Sequence, residues 1–180
     1  MRTQVINTVR ACFAALRQIR SVRRSLHQHA LLTLIRTLVI TKLDLCNSVL
    51  VGTSVYLQDR LLSVLNAAAR LVYSRRPSEH TTPLLRELHW LRVPERIQFR
   101  LCVLAYHCVH GTAPRRRCLR SVDTTTLQVP STRRATLGDR AFSVAAARAW
   151  SSLPLETRAC SSLLTFQRET KSHLFRQSYG

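Results

Sequence analysis

Side chains able to run a reaction are few in this 180-residue sequence, and they are scattered. The nine acidic residues occur singly, so no neighbouring carboxylates are set up for two-metal chemistry or for the paired acid–base work of glycoside hydrolysis. Asp44 and Asp59 fall on helix candidates, and the role expected of Asp44 is a contact with local backbone or an arginine. No G-x-S-x-G presents a serine nucleophile, and four glycines leave no phosphate loop. His27 and His29 do not share a helix face; His107 and His110 do, but no third ligand is spaced to complete a zinc site with them. The six cysteines, Cys12, Cys46, Cys102, Cys108, Cys118 and Cys160, contain no C-x-x-C, which leaves neither a zinc ribbon nor a redox pair. Buried free thiols in a reducing compartment are their expected state. These residue types predict no catalytic residue, no metal and no cofactor.

Arginine is what the sequence holds in quantity. Its 28 basic and nine acidic residues give a formal net charge of +19, and only Lys42 and Lys171 of the basic residues are lysine. Such a chain repels itself unless a polyanion lies alongside, and guanidinium forks onto phosphate, so RNA or DNA is the expected partner. The arginines cluster: Arg17, Arg20, Arg23 and Arg24 form one group, and Arg70, Arg75 and Arg76 a second. Arg115, Arg116, Arg117 and Arg120 form a third, with Arg133 and Arg134 beyond it. Phosphate contact needs long positive side chains on one surface and no strict spacing. Sequence does not say whether the groups share a side. Tyr73, beside Arg75 and Arg76, is placed either to stack on a base or to end a helix against the core. Trp90 and Trp150, each next to leucines and turns, are expected core anchors.

The elements that carry these groups read as helices. The expected fold is all-α: an irregular bundle of about six or seven helices with one loose insert near residues 115–136 that has room for a short β-strand. Residues 1–114 would be a helical core, 115–136 a basic Ser/Thr-rich linker, and 137–180 a helical segment packing back on the core. A first helix is predicted over 4–20, with Val5, Val9, Cys12, Phe13 and Leu16 on one face. Ser25 and Gln28 have capping-box spacing and would open the second helix, and Asp44 and Asn47 warn of a bend in it. The third helix would start at Thr53 or Ser54 and end near Tyr73. The apolar stripes of these two segments, at 26–50 and 57–72, are expected to hide against each other. Pro83 and Pro94 open two further helices, and Gly52 and Gly111 are stops. Asp139 would cap a helix reaching Trp150, with Phe142, Ala145, Ala146 and Ala149 facing inward, and Ser161 or Ser162 would cap the last helix. Leu127 and Val129 alternate as a short strand would. Arg36 and Lys42 interrupt the only long apolar stretch and no signal peptide is seen, so no membrane span is expected and the location would be nucleus or cytoplasm, not secreted.

Five blocks in order carry a family resemblance. They are TKLDLCNSVLVG at 41–52, LQDRLLSVLNAAARLV at 57–72, HTTPLLRELHWLRVPERIQFRLCVLAYHCVHGTAP at 80–114, TLGDRAFSVAAARAWSSLP at 136–154 and SSLLTFQRETKSHLF at 161–175. In them the chain closely resembles the region downstream of the polymerase core in non-LTR (LINE-type) retrotransposon reverse transcriptases. The resemblance implies a helical, basic, thumb-like or connection segment that helps hold RNA template and cDNA and sits on other reverse transcriptase domains. The polymerase metal motif and the endonuclease of such proteins do not occur in this sequence, so neither polymerisation nor nicking is implied. The chain departs from the family at Leu45 and Thr53, at Arg117-Cys118-Leu119, where an aromatic is missing, and at Thr170, where a leucine usually faces inward. Each apolar group lost from a packed position costs about 1–4 kcal/mol. The alternatives are a helical protein–protein interaction module, or a transposon relic with no function.

Overall fold

A computed structural model describes residues 2–47, 54–110 and 142–180. Every regular element among them is helical, with no strand, in agreement with the all-α expectation. The insert at 115–136, the Leu127–Val129 alternation, Gly52, Gly111 and Asp139 lie outside the described residues. The chain divides into two compact units: Met1–Arg96 with Tyr179, and Ile97–Ser178 with Gly180. The boundaries expected at 114 and 136 fall outside the described residues.

The first unit is built around its N-terminal helix. Helix α1 (Arg2–Val22) buries Val5, Val9, Cys12, Ala15, Leu16 and Ile19 along one stripe. A short 3-10 turn (Arg23–Ser25) leads to α2 (Gln28–Ile35), a π-helical turn (Arg36–Ile40) and α3 (Thr41–Asn47). Helix α4 (Val55–Tyr73) buries Leu57, Leu61, Val64, Leu65, Ala68, Ala69 and Val72. It packs chiefly on α1 and only secondarily on α2. The expected mutual packing of the 26–50 and 57–72 segments is therefore corrected, since α1 is the common partner of both. The reason is length and shape: α1 offers an unbroken 21-residue stripe, and alanines on both stripes permit close approach.

Two local expectations in this unit are also corrected. Ser25 does not cap α2, because it belongs to the 3-10 turn. The extended backbone that an N-cap needs falls at His27 instead, without a side-chain cap hydrogen bond. Among the described residues the irregularity of the second segment lies at Arg36–Ile40, and Asp44 is within α3; the chain beyond Asn47 lies outside the described residues. Threonines four apart explain it. The hydroxyls of Thr33, Thr37 and Thr41 donate to the carbonyls of His29, Thr33 and Arg36, each at 3.0 Å. Such back-bonding competes with the helical ladder.

Helix α5 (Thr82–Glu87) opens on a first-turn proline and closes in a Schellman motif. His89 takes φ 52. Its N–H donates to Arg86 and that of Trp90 to the carbonyl of Leu85, and both Leu85 and Trp90 are buried. Trp90 is thus a core anchor, as expected. Helix α6 (Val93–Val109) follows.

The second unit holds the remainder of α6 with α7 (Phe142–Ser151), α8 (Leu155–Arg158) and α9 (Leu163–Tyr179). Its centre is aromatic. Trp150 and Phe166 are fully buried with ring centroids 5.5 Å apart, and Tyr106 lies 4.6 Å from Phe166. The Tyr106 hydroxyl donates to the Ser161 carbonyl at 2.7 Å. Phe142, expected inward, is 44% exposed, because it starts the helix whose inner face is Val144 to Ala147, Ala149 and Trp150. Ser162 stands at the N-cap of α9 without a side-chain cap bond. Thr170 is fully buried and its hydroxyl meets no hydrogen-bond partner.

Candidate nucleic-acid interface

The first two arginine groups meet in the first unit. Arg17 and Arg20 lie beside the buried Leu16 and Ile19, so packing α1 inward leaves them at its edge, and Arg24 follows in the 3-10 turn. Arg70 stands in the last turn of α4, which packs on α1. That helix stops at Ser74, which adopts a left-handed φ of 56. The N–H groups of Ser74 and Arg75 both donate to the Arg70 carbonyl, which turns the chain sharply. No glycine announces this stop in the sequence.

The result is an open groove of about 560 Å³ lined by Arg17, Arg20, Arg23, Arg24, Arg70 and Arg75. Its apolar floor comes from Phe13, Leu16, Ala67 and Leu71, with Pro77 at the rim. Arg76 is exposed in the adjoining loop and does not line it. Arg115, Arg116, Arg117, Arg120, Arg133 and Arg134 lie outside the described residues.

Backbone carbonyls hold two of the six guanidinium groups. Arg23 Nη2 donates to the Val72 carbonyl at 3.4 Å, and Arg70 Nη2 to that of Glu79 at 3.1 Å. The Nε atoms of both are buried and without a partner. Glu79 offsets part of the charge. One carboxylate oxygen accepts the Arg76 N–H at 3.0 Å, and the other lies 3.4 Å from Arg75. The Arg75–Glu79 pair is exposed and therefore weak. Arg17, Arg20 and Arg24 are exposed, and their flexible side chains can follow a ligand.

The remaining candidates are accounted for differently. Asp44 is gripped by Arg96, whose Nη2 donates to Oδ1 and Oδ2 at 2.8 and 2.9 Å while its Nε donates to Oδ1 at 3.0 Å. This is the arginine contact expected of Asp44, with a partner 52 residues away that no local pattern points to. Among the described residues no three His, Cys, Asp or Glu side chains gather where they could hold a metal. His110 stacks on Tyr106 with centroids 4.0 Å apart, and His107 meets the same ring edge-on. Cys12 and Cys102 are buried, whereas Cys108 is exposed. Burial pushes the Cys102 thiol up to about 12. Among the described residues no helix is long and apolar enough to cross a membrane.

No protein-family model, curated protein or solved structure matches the chain.

Proposed function

We propose that the chain is a non-catalytic, thumb-like segment of a LINE-type reverse transcriptase that holds RNA or DNA by its phosphates, in the nucleus or cytoplasm. One observation carries the binding half of this reading: two arginine groups about 50 residues apart in sequence line one groove. A groove of guanidinium groups attracts any phosphate backbone. It reads no sequence, because phosphates are the same at every nucleotide. The lineage half rests on the five ordered blocks quoted above. That the segment is non-catalytic rests on the dispersion of the acids and on the engagement of Asp44 with Arg96.

The test is a fluorescence-anisotropy titration of the full chain with labelled RNA and DNA at two salt concentrations. With about four to six phosphate contacts, affinity falls about 10²- to 10³-fold between 50 and 200 mM salt. Salt-independent binding, or none at low salt, refutes the reading. Exposed Leu45, Val55 and Tyr56 favour a second reading, a helical module that docks on polymerase domains. Self-association in solution without nucleic-acid affinity would put that second reading first.

A further inference from the structure

The arginine groove continues past Arg23 and Arg24. Those two residues and Ser74 also line a neighbouring depression of about 490 Å³. Its other lining residues differ: Tyr73 supplies a partly exposed aromatic ring and Leu26 an apolar edge, above Leu31 and Val72, which are nearly buried. A phosphate gains nothing from apolar walls and a phenol ring. A nucleobase does, because it has two apolar π faces and an edge of donors and acceptors. Gln28, also at the wall, carries both a donor and an acceptor for such an edge. Arg23 is common to both hollows, so a strand whose phosphates follow the groove has its base beside the tyrosine.

A base paired and stacked within a duplex presents neither its faces nor its pairing edge. We propose that the Tyr73 pocket takes one unstacked base, and that the ligand of the groove is therefore single-stranded RNA or DNA. This rests on the phosphate-binding reading and narrows it to a substrate class.

The test uses the full chain and probes with equal numbers of phosphates: a single-stranded oligonucleotide, the same oligomer without bases, and a hairpin duplex of as many nucleotides. RNA and DNA versions of the single strand distinguish the two sources of the same chemistry. The base-containing strand is expected to bind about tenfold tighter than the abasic one. Tyr73→Leu should bring it down to the abasic level, with the helical circular dichroism retained as the check on folding. Equal binding of single-stranded, abasic and duplex probes, with a steep salt dependence, overturns the pocket and leaves the phosphate groove standing. Absence of binding to every probe at low salt overturns both.

Discussion

Replacing Arg17 and Arg20 together by alanine separates a phosphate groove from a merely basic surface. Both side chains are exposed on the last turns of α1, so their loss leaves the buried stripe of that helix untouched. If each meets one phosphate, the slope of log affinity against log salt becomes shallower by about 0.7 per residue on a single strand and about 0.9 on a duplex. The slope extrapolates to a common value near 1 M salt, so at about 0.1 M the double variant binds about 25- to 60-fold more weakly. The matched control is Arg168→Ala with Arg176→Ala. These are two exposed arginines of the other unit, and their loss changes the net charge equally. Anisotropy titrations at four salt concentrations give both slopes, and the control slope should match the parent. If the control loses as much affinity as the groove variant, binding reports net charge alone, and the convergence of arginines in the groove carries no functional weight.

Three further outcomes follow from the packing. Thr170→Val removes a fully buried, unpartnered hydroxyl in nearly the same shape, so stability should rise by about 1–3 kcal/mol. A melting temperature that stays level or drops would show that the hydroxyl is satisfied. Asp44→Ala leaves the mostly buried Arg96 guanidinium without its fork and should cost about 1–2 kcal/mol, discounted because Asp44 is half exposed. A double-mutant cycle with Arg96→Met that proves additive would rule out the pairing. Cys102 is neutral in the fold up to about pH 12, while an unfolded thiol ionises above about 9. The folded chain therefore holds more protons in that window, and stability should fall with rising pH by about 1.4 kcal/mol per unit. Below pH 9 this thiol contributes no pH dependence. Urea melts at successive pH values, compared with Cys102→Ala, measure the difference, and identical pH slopes for the two proteins would be the contrary result.

Helix stripes and breaks were legible because they are local. A 3.6-residue period in α4 names the residues that must be buried before any partner is known; of its stripe Leu57, Leu61, Val64, Leu65, Ala68 and Val72 are buried, and Leu71 is left partly exposed. The openings at Pro83 and Pro94, and the ending at Tyr73, follow from backbone sterics of the same short range. The π turn was legible in principle from Thr33, Thr37 and Thr41, but only once three spaced hydroxyls are read as a competitor to the ladder rather than as exposed polar residues. The stops at Ser74 and His89 carry no glycine signal, because neighbouring carbonyls hold these residues at positive φ. Phe142 was misplaced because the buried face of its helix begins at Val144, and 142 is off that face.

The amino-acid sequence determined the helical class, the strong positive charge and the dispersion of its acids, since composition and short-range periodicity are properties of the chain itself. Only the tertiary structure decided that α1, rather than the second segment, is the main partner of α4. That choice brings Arg17 to Arg24 against Arg70 and Arg75 in one groove, with Tyr73 next to it. The physical reason is that an apolar stripe states how much surface must be hidden but not against what. The answer depends on the summed fit of several helices, and the polar residues beside each stripe are carried to wherever that fit puts them.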